Sequence, residues 1–234
     1  MKIKKTINGL TFSMILVSEV LVAADFDKGI NAYNSGDFKT ALAEWMPLAE
    51  QGDAESQYLI GGIYDYGYGV AVNYKTAVKW YTLAAEQDFM MSQYALGVMY
   101  KFGDGVPQNF DTAVSWFAKA AKQGYAEAQY NLATAYSYGT GVLKNETTSL
   151  NWHTKAAKQG HAEAQDNLGV MYFNGEVVAP DYLRAYMWMN LAVYNGGEES
   201  TVKQKIIAEG MTTADISKAQ DMSSRCLESN YTDC

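Results

Sequence analysis

The sequence predicts an all-α protein built from stacked helix pairs, because three residue types recur at one spacing and each interval contains two segments with helical periodicity. The tryptophans lie 35, 36, 36 and 36 residues apart, and a glutamine series and a tyrosine series keep the 36-residue interval. The series are Trp45, Trp80, Trp116, Trp152 and Trp188; Gln57, Gln93, Gln129 and Gln165; and Tyr64, Tyr100, Tyr136 and Tyr172. A fixed period of this length is typical of solenoid proteins.

Each period contains a first helix, a glycine loop and a second helix. In the first helix of one period, Ala128, Leu132 and Tyr136 fall on one face at helical spacing. The Gly-x-Gly-Val loop at 139–142 follows, and glycine supplies backbone angles that other residues resist. A second helix such as 110–122 ends before Gln-Gly, as expected for a glycine C-cap. One such pair cannot bury its apolar face alone, so we expect the pairs to stack into an α-solenoid.

The repeat pattern divides the chain into four segments. These are a leader at 1–24, a degenerate N-terminal repeat or cap at 25–53, four repeats at 54–197, and C-terminal capping helices with a tail at 198–234. In the last segment we expect helices at about 199–209 and 213–228. Thr212 and Asp215 form the Ser/Thr-x-x-acid pattern of a capping box at the start of the second helix.

The N-terminus is typical of a secretory signal peptide. Lys2, Lys4 and Lys5 precede an apolar run at 10–17, and small residues lead up to Ala24. We therefore expect cleavage near Ala24 and a protein that is periplasmic or secreted. The apolar run is short for a membrane span, and an uncleaved N-terminal anchor is the alternative.

The two cysteines, Cys226 and Cys234, both lie in the last nine residues. An even number of cysteines in an exported chain favours a disulfide. Because the loop that it closes is short, the bond would contribute about 2 kcal/mol or less. Two free thiols in a frayed tail are the alternative.

Composition and motifs argue against several classes of function. The chain has 18 basic and 26 acidic residues and a net charge of −8, so it lacks the basic surface that nucleic acids and anionic membranes require. His153 and His161 have no metal-binding spacing. The glycine loops lack the Lys-Ser/Thr of a phosphate-binding loop. We therefore expect no nucleic acid, no metal ion and no small-molecule cofactor.

The repeated residues resemble the Sel-1-like repeat, a relative of the tetratricopeptide repeat. The resemblance rests on Ala-Glu-Ala-Gln-Tyr-Asn-Leu at 126–132, the glycine loops, the tryptophans and the Gln-Gly ends. It covers repeats at 54–89, 90–125, 126–161 and 162–197, with a degenerate repeat at 25–53. It implies a right-handed superhelix of antiparallel helix pairs with a concave face. It also implies a non-enzymatic scaffold or adaptor in the bacterial envelope, or a secreted one, whose partner is a protein or peptide.

A cysteine-rich subgroup of this family is linked to penicillin binding and weak β-lactamase activity, so a penicillin-interacting envelope enzyme is the alternative function. The repeats of this chain contain no cysteine. One Ser-x-x-Lys exists, from Ser200 to Lys203, without the Ser-Asp-Asn and Lys-Thr-Gly partners of penicillin-recognising enzymes. We therefore expect no catalytic activity.

In related helical repeats, the first helix of each pair lines the concave face. The residues that we expect to contact a partner in this groove are Tyr58, Asp65, Tyr66, Tyr94, Lys101, Phe102, Tyr130, Ser137, Tyr138 and Phe173. Aromatic side chains give a large contact area at low entropic cost, and a row of them suits an extended peptide or a helix. For Tyr58, Tyr94 and Tyr130, packing between repeats is the alternative.

Overall fold

The computed structural model describes residues 24–175 and 177–234, which form twelve α-helices and no strand. Apart from Ala24, the predicted leader lies outside this range. The helices are α1 (Phe26–Asn34), α2 (Phe38–Glu50), α3 (Ala54–Tyr66), α4 (Tyr74–Ala85), α5 (Met90–Phe102), α6 (Phe110–Lys122), α7 (Ala126–Tyr138), α8 (Glu146–Ala157), α9 (Ala162–Asn174), α10 (Tyr182–Tyr194), α11 (Ser200–Glu209) and α12 (Thr213–Glu228). Each helix from α1 to α10 packs on the next helix in the chain. The all-α class and the stacked helix pairs are confirmed.

Polar caps fix the start of the second helix in each repeat. Asn73, Asn109, Asn145 and Asp181 occupy equivalent positions, and each accepts a hydrogen bond from the backbone N–H three residues later at 2.9–3.0 Å. Such a cap contributes about 1 kcal/mol. Each first helix of the four repeats ends before a glycine with a left-handed backbone, such as Gly103 with φ +83°. The helix boundaries therefore follow from local sequence.

Within each repeat, a small residue of the first helix stands opposite a bulky residue of the second. The four position pairs are Gly61–Tyr81, Gly97–Phe117, Ala133–His153 and Gly169–Met189. A Cβ added to the three glycines would lie 2.6, 2.5 and 2.7 Å from the bulky side chain, so the two helices pack at the closest distance that glycine allows. The third repeat differs from the others because it has alanine, Ala133, in place of the glycine. Its partner on the second helix is His153, whose imidazole ring is compact.

A ladder of side-chain hydrogen bonds joins successive repeats along one edge of the solenoid. Gln129 donates to the carbonyl oxygen of Ala121 on the preceding helix at 3.1 Å. It also accepts from Gln159, beyond the end of its own second helix, at 2.8 Å. The same two bonds are made at each equivalent position, by Gln57, Gln93 and Gln165. The 36-residue glutamine series thus satisfies buried carbonyl groups at every repeat junction.

The tryptophan series also serves helix packing. Trp45 and Trp188, at the two ends of the series, are buried, whereas the three tryptophans between them are half-buried. Lys119 and Lys155 place their ammonium groups 3.9 and 4.1 Å from the ring centroids of the tryptophans three residues earlier. The lysine stems therefore cover rings that the helices leave partly open.

The helices α11 and α12 close the C-terminal end by packing on α10. Cys226 and Cys234 form a disulfide with a Cα–Cα distance of 4.9 Å. Between them, the hydroxyl of Tyr231 accepts a hydrogen bond from Asn195 at 2.8 Å. Because Asn195 also donates to Gln165, the tail is attached to the last step of the hydrogen-bond ladder.

Candidate functional site

The tyrosines Tyr58, Tyr94 and Tyr130, here called the inner row, are half-buried between repeats. Each ring lies against a ring of the second helix in its own repeat and against the ring that ends that repeat. Tyr94 is representative, with centroid distances of 5.8 Å to Phe117 and 5.0 Å to Tyr125. Burial raises the pKa of all three inner-row phenols. The inner row therefore contributes to packing while one part of each ring reaches the surface.

Sequence reasoning missed the ring that ends each repeat. Phe89, Tyr125 and His161 directly precede the next first helix and contact the inner row at centroid distances of 5.4, 5.0 and 4.6 Å. In the sequence, these residues form a series of ring-containing side chains spaced by 36 residues. Because they lie just outside the helices, the periodicity of the helix faces does not include them.

The aromatic residues Tyr66, Phe102 and Tyr138, here called the outer row, are exposed by 66%, 62% and 79%. Each is the last residue of a first helix, so the row follows the repeat. Rings exposed to this extent contribute little to helix packing. A series of exposed aromatic side chains is typical of a surface that a partner covers.

The two rows share one face of the solenoid. Burial, with a smaller contribution from the nearby phenol of Tyr66, raises the pKa of Tyr58 and of Tyr94. In the same way, Tyr138 contributes to the raised pKa of Tyr130. Each outer-row residue lies eight positions after the inner-row residue of the same first helix, which is about 80° further around the helix, so both rows lie on one side of the first helices.

The other four residues expected in the groove occupy one repeat position, directly before the outer row, and are held by neighbouring helices. They are Asp65, Lys101, Ser137 and Phe173. Asp65 accepts a hydrogen bond from the hydroxyl of Tyr81 at 3.2 Å, and burial raises the pKa of its carboxyl group. Lys101 donates to Asn131 on the next first helix at 3.2 Å.

Ser137 and Phe173, which occupy the same position in the third and fourth repeats, also contact neighbouring helices. The hydroxyl groups of Ser137 and Ser149 are 2.6 Å apart. The ring of Phe173 lies edge-on to Tyr182 at 5.6 Å and packs on a buried cluster that includes Ile207. All four side chains at this position thus have partners within the protein, and the freely exposed area belongs to the outer row.

An acidic cleft of about 560 Å³ lies between Tyr94 and Tyr130. Glu127 and Glu163 line it and are both exposed. Glu163 approaches Nδ1 of His161 to 3.2 Å. Burial lowers the pKa of His161 despite this carboxylate, so the imidazole adds no positive charge at neutral pH. The cleft presents tyrosine rings and carboxylates side by side.

The face ends in the fourth repeat, where Asp166 takes the position of the inner row. Ser200 is 2% exposed and donates to Asp166 Oδ1 at 2.6 Å, and Lys203 forms an ion pair with the other carboxylate oxygen. The two ends of the Ser-x-x-Lys sequence therefore fasten α11 to α9. Both side chains are engaged in closing the solenoid.

Among residues 24–175 and 177–234, no group of three or more His, Cys, Asp or Glu side chains is arranged to hold a metal ion. None of the helices described has the length and apolar character needed to cross a bilayer.

Known structures similar to this chain include two that are more than 30% identical to it. A crystal structure of a protective antigen from uropathogenic Escherichia coli strains, with an SLR fold, is 34% identical over 88% of this chain, with a TM-score of 0.80. The chain spans 46% of the length of that antigen. A Sel1 repeat protein from Oxalobacter formigenes is 33% identical over 77% of this chain and 74% of its own, with a TM-score of 0.73. An immunity protein from Pseudomonas aeruginosa, 16% identical with a TM-score of 0.52, shares the fold, over 87% of this chain and 83% of its own.

The comparison with curated proteins finds no match to this chain. The comparison with protein families does find a match. The Sel1 repeat model matches residues 54–89, 91–125, 126–161 and 162–197, which together make up more than half of the chain. The matched residues contain the glutamine ladder, the paired small and bulky residues and both aromatic rows. On this evidence the chain belongs to the Sel1 repeat family.

Proposed function

We propose that the protein is a non-enzymatic interaction module that binds an extended segment of a partner protein across the face of the first helices. The observation that carries this proposal is the outer row, in which Tyr66, Phe102 and Tyr138 are all more than 60% exposed at one repeat position. Packing of the helices gives no reason for three large rings in solvent. Together they would supply the aromatic anchors that dominate binding energy in protein interfaces.

The charge of the face favours a basic partner segment. Glu127 and Glu163 lie beside the rings of Tyr94 and Tyr130, and the whole chain has a net charge of −8. Carboxylates next to tyrosine faces attract lysine and arginine side chains through charge and cation–π interactions. We therefore expect the bound segment to carry at least one basic residue.

The test compares two triple variants of residues 25–234, a chain that contains all twelve helices. In the first, Tyr66, Phe102 and Tyr138 are changed to Ala. The matched control changes Leu143, Tyr194 and Ile206, which are 89%, 70% and 52% exposed elsewhere, to Ala. A phage-displayed library of random dodecapeptides is selected on the unchanged protein, and the Kd of the selected peptides is measured for all three proteins.

We expect the outer-row variant to lose at least about tenfold in affinity, since loss of anchors costs about 2 kcal/mol or more. The control variant should bind as the unchanged protein does, and circular dichroism should show equal helix content in all three. Peptides that bind the outer-row variant with unchanged Kd would contradict the proposal.

We further propose that the protein acts outside the cytoplasm, in the periplasm or after secretion. The leader pattern ending at Ala24 supports this, and so does the disulfide between Cys226 and Cys234, since such bonds persist in oxidising compartments. N-terminal sequencing of the protein from fractionated cells should give Asp25 as the first residue, in the periplasmic fraction or the medium. An intact Met1 in the cytoplasmic fraction would refute the export proposal.

A further inference from the structure

The third repeat is polar at three positions where the other repeats are apolar or aromatic. Thr134 stands where the others have Gly62, Val98 and Val170; Ser149 where they have Ala77, Ala113 and Ala185; and His153 where they have Tyr81, Phe117 and Met189. Since the same helix pair forms three times with apolar or aromatic residues, the fold does not require these polar groups.

The polar side chains converge on one cleft of about 260 Å³ among α7, α8 and α9. Its lining includes Thr134, Ser137, His153 and Asn167. Ser149 lies next to it through its contact with Ser137. One repeat earlier, the equivalent cleft is about 90 Å³, has Phe117 at the position of His153, and is lined by further apolar side chains together with those of Lys101, Asn131, Thr134 and Thr140. Consecutive repeats thus present a small cleft that contains a phenylalanine and a larger cleft that contains a histidine at the same position.

The imidazole at the base of the polar cleft is incompletely satisfied. His153 is 1% exposed, and Nδ1 has no hydrogen-bond partner among the residues that the structure describes. Nε2 has one long contact, 3.4 Å, with the amide of Asn167. A buried polar atom without a partner costs about 1–3 kcal/mol, so this arrangement is worse for stability than the phenylalanine or methionine of the neighbouring repeats. A cost that folding does not explain indicates a role in binding.

We infer that this cleft is a subsite for a neutral amide side chain, asparagine or glutamine, of the bound segment. The inference rests on the proposed peptide-binding function and adds a residue preference to it. The outer-row residue Tyr138 lines the mouth of the cleft, so a segment lying across the outer row passes directly over it.

The chemistry of the cleft selects a neutral group. The lining offers donors and acceptors from hydroxyl, amide and imidazole groups. At its mouth, Lys144 and Glu146 form an ion pair with each other at 2.7 Å. A carboxylate or ammonium group would lose hydration without gaining a new counter-charge, and an alkyl group would leave the polar lining unpaired. An amide donates and accepts at once and suffers neither penalty.

The subsite can be tested without knowledge of the partner, because the chain has only two histidines. Protein of residues 25–234 is labelled with ¹⁵N-histidine and titrated at pH 7 with propionamide. Propionate and propylamine serve as charged probes of matched size. The imidazole resonances of His153 are assigned from the variant His153→Phe, which introduces the residue that the second repeat has at this position.

We expect propionamide to shift the His153 resonances in a saturable way, and propionate and propylamine to bind at least about tenfold more weakly. The variant Asn167→Leu, which introduces the residue found at the equivalent position 59, should lose the response while the His161 resonances keep their positions. No saturable shift with propionamide, or an equal shift with propionate, would overturn the inference.

The two proposals fail in different ways. If the selected dodecapeptides bind through the outer row but propionamide does not bind, the subsite is wrong and the peptide-binding function stands. If both hold, peptides selected on the unchanged protein should be enriched in Asn or Gln at one position, and selection on His153→Phe should replace that preference with an apolar one. Retention of the Asn or Gln preference on His153→Phe would count against the subsite.

Discussion

The backbone nitrogen of Asp25 lies 3.1 Å from a carboxylate oxygen of Glu44 on α2. Glu44 also forms an ion pair with Lys28, while the side chain of Asp25 caps α1 by accepting from the backbone N–H of Lys28 at 3.1 Å. Removal of a leader after Ala24 would turn this nitrogen into a charged α-amino group. Glu44 is thus placed to pair with the new N-terminus that such cleavage would create.

A first prediction concerns this contact. The macrodipole of α1 disfavours a positive charge at its start, so the ion pair with Glu44 decides whether the free amino group stabilises the fold. In protein that begins at Asp25, we expect chemical acetylation of the α-amino group to lower the Tm, measured by differential scanning calorimetry. In Glu44→Gln the same acetylation should not lower the Tm. An equal decrease in both proteins would show that Glu44 is not the partner.

A second prediction concerns the hydrogen-bond ladder. Gln129→Ala removes a donor from the carbonyl oxygen of Ala121 and leaves the amide of Gln159 with only a long contact, 3.4 Å, to the carbonyl oxygen of Lys155. Because Gln129 is 4% exposed, we expect the free energy of unfolding in urea to fall by about 2–3 kcal/mol. Gln51→Ala is the control, since Gln51 is exposed and its amide bonds only to its own helix. A change below about 0.5 kcal/mol for Gln129→Ala would contradict a structural role for the ladder.

A third prediction concerns the paired small and bulky positions. Gly97→Ala brings a methyl group to about 2.5 Å from Phe117, which should cost about 1–3 kcal/mol by overpacking. The third repeat has Ala133 and His153 at these positions. Phe117→His should therefore cost less in the Gly97→Ala background than in the unchanged protein, with a coupling energy of about 1 kcal/mol in a double-mutant cycle. Additive costs would exclude a direct contact between the two positions.

A fourth prediction concerns pH. Burial, with a smaller effect of His161, lowers the pKa of His153 to about 4, from 6.5 for an exposed histidine. Between these values the unfolded chain binds a proton that the folded protein does not, so stability falls as the pH decreases from about 6.5 to about 4. Linkage puts the total loss at about 3 kcal/mol, and above pH 6.5 this residue adds no slope.

The pH prediction is checked by urea unfolding of the unchanged protein and of His153→Phe at several pH values. Glu146 and Lys144 at the mouth of the cleft, and His161, are present in both proteins, so the quantity of interest is the difference between the two curves. We expect this difference to grow below pH 6.5 and to level off near pH 4. Parallel curves would mean that His153 does not stay neutral in the folded state.

Much of the fold could be predicted from the sequence because the repeat is local. Every 36-residue repeat contains one glutamine equivalent to Gln129, one glycine loop and one helix cap equivalent to Asn109. A single repeat is therefore enough to recognise all three. The second capping helix also follows from local signals: Thr212 accepts from the backbone N–H of Asp215 at 3.1 Å, as its capping box predicts.

The site was harder to predict because exposure depends on the next repeat. Ser137 and Tyr138 are consecutive residues of α7, yet the first is held by Ser149 and the second is 79% exposed. Helical periodicity places both on the same broad face, and only the position of the neighbouring helices separates them. The link from Asp166 to Ser200 and Lys203 joins residues more than 30 positions apart and has no periodic signal.

The paired small and bulky residues and the glutamine ladder also limit how repeats can be duplicated, deleted or exchanged during evolution. The contacts between small and bulky residues differ from repeat to repeat but stay inside one repeat, whereas the ladder crosses every junction with nearly the same chemistry, ending in Asn195 where Gln159 stands one repeat earlier. A whole 36-residue unit can therefore be duplicated, deleted or exchanged with both the paired contacts inside it and the ladder bonds to its neighbours preserved. A crossover between Gly97 and Phe117, in contrast, would combine helices that do not fit. The intact helix pair is the unit on which recombination can act.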